Sequence, residues 1–179
     1  YINTPGKDLV NQDFSFSVTT KNISEYVSLF DSRISRFNNA SVNGNINIAS
    51  NTLNLQADIP QFKYSRVSFN NVHFRGTGTR DTLVLRGDIE DVVINDSLHS
   101  PNTKLSIVSA GDLSDIRILT AGNKTLSNAD LSARFQTRGE GFKLTFNPSF
   151  FAINQKQWKI DKDGELDLDH HVLTANNIR

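Results

Sequence analysis

Apolar residues recur at every second position through most of this chain. A segment that starts with Asn and continues with alternating apolar and polar residues recurs along the chain, each time followed by a second alternating run. The repeated segments start at Asn39, Asn71 and Asn128, and the second runs lie at residues 53–59, 83–89 and 142–146. Because a repeated hairpin cannot bury its apolar side alone, the pattern predicts hairpins stacked into an elongated antiparallel β-sheet.

One segment departs from this period. Apolar residues there follow the spacing of a helical stripe, at Ile23, Tyr26, Val27, Phe30, Ile34 and Phe37. An amphipathic helix is therefore predicted near residues 22–36, with Asn22 as N-cap and Glu25 three residues later. We expect this helix to plug an end or mouth of the sheet.

Turn signals separate the predicted strands. They include Pro60–Gln61, Pro101–Asn102, Asn147–Pro148 and the Gly-containing segment 161–165. No long linker or low-complexity segment interrupts them, so residues 1–179 are predicted to form a single β segment, a slice of a larger repeat protein.

In the predicted strands one parity is apolar and the other is filled by Asn, Gln, Asp, Thr, Arg or Lys. Successive side chains of a strand point to opposite sides, so one side of the sheet is apolar along its length. That side must meet a second sheet, the same sheet folded over, or a ligand, and periodicity does not separate a sandwich from a half-open groove. The candidate lining residues are Val42, Ile46, Ile48, Leu53, Leu55, Ala57, Ile59, Phe69, Phe74, Leu83, Leu85, Ile89, Leu105, Ile107, Leu131, Phe135, Leu144 and Phe146.

Composition narrows the function classes. Lys and Arg together number 19, as do Asp and Glu, which argues against a nucleic-acid partner because such domains carry a basic excess. Cysteine is absent, so neither a disulfide nor a thiolate metal site is expected. The chain also has no apolar run long enough to span a membrane as a helix.

Candidate catalytic chemistry is sparse. We interpret His73, His99, His170 and His171 as surface residues, because none combines with partners in a ligand or acid/base pattern. The segment Asp161–Glu165 has its Gly too early for an EF-hand loop and is predicted to be a tight hairpin turn. Gly76–Gly78 lacks the following helix of a dinucleotide loop. No enzyme activity, cofactor or metal is therefore expected.

Two stretches resemble the TamB family of Gram-negative cell envelopes. The first combines the amphipathic segment Ile23–Phe37 with the alternating runs that follow it, from Phe37-Asn38-Asn39-Ala40 to Asn71-Val72-His73-Phe74. The second runs from Pro148 through Phe150-Phe151 and Trp158-Lys159-Ile160 to Gly164-Glu165-Leu166, and is similar to a recurrent element of that family. The resemblance covers the chain from about residue 20 to its end.

The resemblance implies a strongly curved antiparallel sheet, likened to a folded taco, with an apolar trough along its length. It also implies a periplasmic module of a protein anchored to the inner membrane, which carries phospholipid acyl chains between the inner and outer membranes. A BamA-like outer membrane barrel is the implied partner, through parts of the protein outside this sequence.

Three hypotheses follow. The first is a lipid conduit, and the second is a scaffold for unfolded outer membrane β-barrel clients that uses the same surface or an open sheet edge. The third is a β-sandwich adhesin or glycan-binding module whose apolar side is closed as a core. The shape of the apolar side, open or shut, separates the third from the other two.

Overall fold

A computed structural model of the protein describes residues 13–23, 26, 29, 31–96, 98–122, 126–139, 141–161, 164–169 and 172–177. The alternating runs form β-strands, as predicted. The strands are β1 (Asp13–Thr19), β2 (Ile34–Asn38), β3 (Ser41–Asn47), β4 (Thr52–Tyr64), β5 (Val67–Gly78), β6 (Thr82–Asn95), β7 (Leu98–Ala110), β8 (Leu113–Thr120), β9 (Leu126–Arg138), β10 (Gly141–Phe146), β11 (Ser149–Ile153), β12 (Lys156–Ile160), β13 (Glu165–Asp169) and β14 (Val172–Asn176).

All fourteen strands belong to one open antiparallel sheet. The main path runs β1-β3-β4-β5-β6-β7-β8-β9-β10-β13-β14, so most neighbours in space are also neighbours in sequence. Three short strands lie off this path: β2 pairs with β4, and the β11–β12 hairpin pairs with β9 through β11. The all-β, antiparallel part of the prediction is confirmed.

The described residues form no second sheet that covers the first. All the extensive contacts between described strands run between hydrogen-bonded neighbours, and the contact of β7 with β9 is small. The accessible surface is 12829 Å², whereas a compact monomer of 20.0 kDa exposes about 8,700 Å². The sandwich architecture that the sequence left open is therefore not what these strands build.

Strand pairing is interrupted along one common line across the long strands, which we call the corner. Residues Pro60, Asn71, Glu90 and Asn102 are skipped in the pairing register of β4, β5, β6 and β7. Asn71 and Asn102 adopt left-handed backbone angles, with φ of 46° and 47°, a conformation that Asn tolerates better than most residues. The turns predicted at Pro60–Gln61 and Pro101–Asn102 are wrong, because β4 and β7 continue through both positions.

The corner shifts the phase of the apolar pattern. On one side it is set by Ile59, Val72 and Ile89, and beyond the corner it continues three residues away, at Phe62, Phe69 and Val92. These six side chains pack in one cluster. The apolar side is therefore continuous across the corner, although the strict alternation of apolar and polar residues is broken there.

Buried hydroxyl groups bond backbone groups at two places, near the corner and at the junction of β9 with β11. The Thr120 hydroxyl donates to the carbonyl oxygen of Pro101 at 2.9 Å, and Ser100 Oγ donates to Thr120 Oγ1 at 2.7 Å. Between β9 and β11, the Ser132 amide donates to Ser149 Oγ at 2.9 Å. These side chains bond backbone groups that the strand ladder leaves unpaired, which removes the cost of burying them.

The predicted helix is not shown. Residues 24, 25, 27, 28 and 30 lie outside the described residues, and the end of the predicted helix is wrong because Ile34–Asn38 is strand β2. Asp31 and Arg33 form a turn before it: the Ile34 amide donates to the Asp31 carbonyl oxygen at 2.9 Å. Pairing of Ile34 with Tyr64 of β4 outweighs the helical spacing.

The hairpin turn predicted at residues 161–165 is also wrong. This segment links β12 to β13, which pair with β11 and β10 and not with each other. Residues 162 and 163 lie outside the described residues. A hairpin turn lies instead between β11 and β12, at Asn154–Gln155. Both residues have positive φ, 50° and 65°, as a two-residue turn of type I′ requires.

Candidate functional site: the apolar face

Register alone assigns each strand residue to one of two faces, because directly paired residues of an antiparallel sheet lie on the same side. The side that holds Leu55, Phe74 and Leu85 is called the apolar face, and the opposite side the polar face. One continuous row of paired residues on the apolar face is Val42, Ala57, Phe74, Gly87, Leu105, Ile118 and Leu131. The next row is Gly44, Leu55, Gly76, Leu85, Ile107, Ile116, Ala133 and Phe146.

Glycines on the apolar face give room to large neighbours. A Cβ on Gly87 would lie 2.5 Å from Phe74 Cε1, well inside van der Waals contact, so the Phe74 ring lies over the glycine. Gly44 is covered by Phe16 of the next strand in the same way. Large side chains therefore fill the space above glycines in adjacent strands, and this in-plane packing takes the place of a covering layer.

Burial falls from the centre of the apolar face to its margins. Val72 is fully buried, and Ile59 and Ile89 are each 7% exposed. At the outer strands Phe14 of β1 is 59% exposed and Leu173 of β14 is 61% exposed. The described apolar residues that are buried are Ala40, Ala57, Ile59, Val72, Ile89 and Ala129. Most of the apolar face is thus in partial contact with solvent.

The predicted lining residues lie on this face, with one exception. Ile48 follows the end of β3 in the turn before β4 and is 38% exposed, so it does not line the face. Sequence reasoning missed further members of the face, although their alternation in β1, β5, β8, β10 and β13 carried the same signal. These are Phe14, Phe16, Val18, Val72, Ile116, Ile118, Phe142, Leu166 and Leu168.

The polar face is crossed by ion pairs between neighbouring strands. Arg117 donates two hydrogen bonds to the Asp130 carboxylate, at 2.9 and 2.7 Å, and this interaction lowers the pKa of Asp130. Arg134 Nε lies 2.8 Å from Asp115 Oδ1. Charged groups of opposite sign thus face each other on adjacent strands, which favours this register over a slipped one.

His73 lies on the polar face, paired with Asp58 and Asp88 in the neighbouring strands. Its Nδ1 lies 2.6 Å from Asp58 Oδ1, and the hydrogen bond lowers the pKa of Asp58. His99 Nδ1 lies 3.1 Å from Asp91 Oδ2 near the corner, and His170 and His171 lie outside the described residues. Within the described ranges no three His, Cys, Asp or Glu side chains are placed to hold a metal ion.

Shallow concavities open on the polar face. One of about 560 Å³ is lined by side chains that include His73, Arg75, Arg86 and Asp88. Arg75 and Arg86 are directly paired across β5 and β6. This group presents charged and hydrogen-bonding side chains to solvent.

No protein-family model, no curated protein and no solved structure matches this chain. Among the described residues, no helix has the length and apolar character needed to cross a membrane. The case for function therefore depends on the geometry of the two faces.

Proposed function

We propose that the apolar face binds the acyl chains of lipids and that the protein is a lipid-transfer module of the cell envelope. The observation that supports this most directly is the apolar face, which no other described strand covers and which continues from β1 to β14 without a charged residue among its paired rows. A single sheet of this kind leaves an extended apolar surface that one short peptide or one small molecule would not cover.

The energetic argument follows from area. Each methylene removed from water contributes about 0.8 kcal/mol, so an acyl chain laid along adjacent apolar rows is stabilised over its whole length. A headgroup needs no dedicated site if it stays in water beyond the rows. In this proposal the sheet is curved into a half-open trough, so that the apolar rows face one another across the bound chains.

The resemblance to the TamB family supplies the cellular setting of the proposal. We place the module in the periplasm, within a longer protein anchored to the inner membrane, with phospholipid acyl chains as cargo and a BamA-like outer membrane barrel as partner. The glycan-binding alternative required a closed sandwich, and the single open sheet removes that support.

The test uses a pair of neighbouring residues on opposite faces. Leu85 lies on the apolar face beside Gly76, and Val84 lies half-buried on the polar face. Loss of contact with one Leu side chain costs about 1.5–3 kcal/mol, so Leu85→Asp should reduce photocrosslinking to a diazirine-labelled phospholipid at least about tenfold. Val84→Asp should leave crosslinking within about twofold of the unchanged protein.

Circular dichroism of both variants must show the β-sheet retained. Equal crosslinking of the Leu85→Asp and Val84→Asp proteins would show that lipid does not contact the apolar face and would overturn the proposal. Crosslinking that maps to polar-face peptides by mass spectrometry would do the same.

A second function is favoured by the sheet margins. β14 has no charged residue, and Val172 and Leu173 are 65% and 61% exposed. Unprotected margins of this type add strands from other chains by main-chain hydrogen bonding. A scaffold for unfolded β-barrel clients would bind here, and Thr174→Pro in β14 should weaken client capture while lipid crosslinking persists.

A further inference from the structure

The β11–β12 hairpin differs from the rest of the sheet in charge. Residues 149–160 contain Lys156 and Lys159 and no Asp or Glu, in a chain whose formal net charge is zero. Three other hairpin turns carry an acid, at Asp81, Asp96 and Asp112, whereas the turn between β4 and β5 carries Arg66. With Asp161, which follows directly, residues 149–161 have two cations and one acid, a net charge of +1, and positive charge at one margin of a neutral protein creates an attractive field for anionic surfaces.

The same hairpin holds the only tryptophan of the chain. Trp158 is 48% exposed and stacks on Phe151 across the two strands, with ring centroids 6.3 Å apart and an interplanar angle of 8°. The Lys156 ammonium lies 4.6 Å from the centroid of the Trp158 ring. Lys156 lies on the same side of β12 as Trp158, and Lys159 lies on the opposite side. An exposed indole supported by a second ring, with cations on the same edge strand, is the combination that anchors proteins at a lipid–water interface.

The position of the hairpin leaves it accessible. Among the described strands β12 pairs only with β11, so one side of β12 has no neighbour. Phe151 pairs with Ala129, which belongs to the apolar face through its pairing with Thr120. The apolar face therefore continues onto this hairpin and ends at Trp158.

We propose that the β11–β12 hairpin docks on an anionic phospholipid bilayer, with Trp158 at the level of the headgroups and Lys156 and Lys159 near their phosphates. Charge complementarity selects this partner, because the hairpin has two cations and no acid. Docking places the end of the apolar face against the bilayer. It goes beyond the proposed function and stands without it, since a surface anchor needs no acyl chain in the trough.

Trp158 makes the test specific to the site, because excitation at wavelengths that tyrosine does not absorb reports this one indole. The full chain is titrated with vesicles of phosphatidylcholine alone and of phosphatidylcholine with phosphatidylglycerol at 3:1. Emission should shift to shorter wavelength with the anionic vesicles only, and the shift should weaken as salt is raised.

The Lys156→Gln, Lys159→Gln double variant should lower the partition coefficient by about 30-fold, the contribution of two lysines at an anionic surface. A matched control removes the same charge elsewhere: Lys21→Gln with Arg80→Gln, both exposed, should stay within about twofold. Leu85→Asp should dock as the unchanged protein does, which separates this inference from acyl-chain binding.

Several outcomes would overturn the inference. Equal shifts with neutral and anionic vesicles would show partition into lipid without charge recognition, and equal losses in both double variants would show a general charge effect. A Trp158 shift caused by an anionic polysaccharide, with none caused by vesicles, would assign the hairpin to a different partner.

Discussion

The two faces of the sheet both stabilise the pairing of neighbouring strands, but by different kinds of contact. On the apolar face, Phe74 lies over Gly87, and Leu55 and Leu85 flank Gly76. On the polar face, Arg117 pairs with Asp130 between β8 and β9. The apolar contacts act through buried area, whereas the ion pairs act in solvent, where each contributes little.

This difference means that the faces are energetically separable. A one-residue slip of any strand would place apolar side chains on the polar face and charges on the apolar face. Both faces therefore favour the same register, but the apolar face supplies most of the free energy that stabilises the sheet. Changes of the same type on the two faces should give very different results.

The largest effect is expected for a charge at the centre of the apolar face. Val72 is fully buried in the cluster with Ile59 and Ile89. Val72→Asp leaves an uncompensated charge there and should lower the free energy of unfolding by about 3–5 kcal/mol. Chemical denaturation followed by circular dichroism measures the change.

The matched change on the polar face is Val84→Asp. Val84 pairs with Thr77 on β5 and Val108 on β7, and the new carboxylate can reach water, so the cost should stay below about 1 kcal/mol. Similar losses in the two variants would contradict the separation of the faces.

An intermediate effect should distinguish two glycines of the apolar face. A Cβ on Gly87 would lie 2.5 and 2.8 Å from Phe74 ring atoms, whereas on Gly76 its nearest neighbours are Leu55 Cβ at 3.4 Å and Leu85 Cδ1 at 3.5 Å. Gly87→Ala should therefore cost about 1–3 kcal/mol through overpacking. Gly76→Ala should be neutral or stabilise by up to about 1 kcal/mol, as thermal unfolding of both would show. The reverse order would mean that aromatic cover of the glycine does not hold the strands together.

The smallest effect concerns the polar face and its pH dependence. The pKa of Asp130 lies below its ordinary value of 3.8 because Arg117 donates hydrogen bonds to the ionised carboxylate. A lowered pKa in the folded state adds stability that is present above pH 3.8 and is lost as the pH falls through the folded-state value. Asp130→Asn should cost about 0.2–1 kcal/mol at pH 7.

The same substitution should also flatten the fall in stability below pH 3.8, measured by denaturation at several pH values. Asp88→Asn is the control, since its partner Lys104 lies 3.9 Å away and both side chains are largely exposed. An equal loss in the control at pH 7 would show that the paired geometry of Asp130 adds nothing.

Local alternation was enough to predict the antiparallel strands and the residues of the apolar face. Leu53, Leu55 and Ala57 share a side because successive residues of a strand point opposite ways, and this holds without knowledge of the neighbours. The same rule would have found Ile116 and Ile118 in β8. Whether these residues bind lipid stays a prediction.

The corner and strand β2 were not predictable in the same way. Pro60 and Pro101 are strong turn signals, and only pairing with distant strands shows that the chain continues through them. Ile34 and Phe37 fit a helical spacing, yet Ile34 pairs with Tyr64, thirty positions along the chain. At both places hydrogen bonds to distant strands determine the local structure, and they outweigh the local turn and helix signals.

The corner also has a consequence for how such a sheet can vary in size. Each strand contacts its own neighbours, while the left-handed residues Asn71 and Asn102 fix the distance from the hairpin turns to the corner. Whole hairpins could be duplicated or deleted at the margins without repacking the centre, so the number of strands in the sheet is adjustable. The length of the strands is not adjustable in this way. A single residue inserted on either side of Asn71 or Asn102 would move the polar side chains of that part of the strand onto the apolar face.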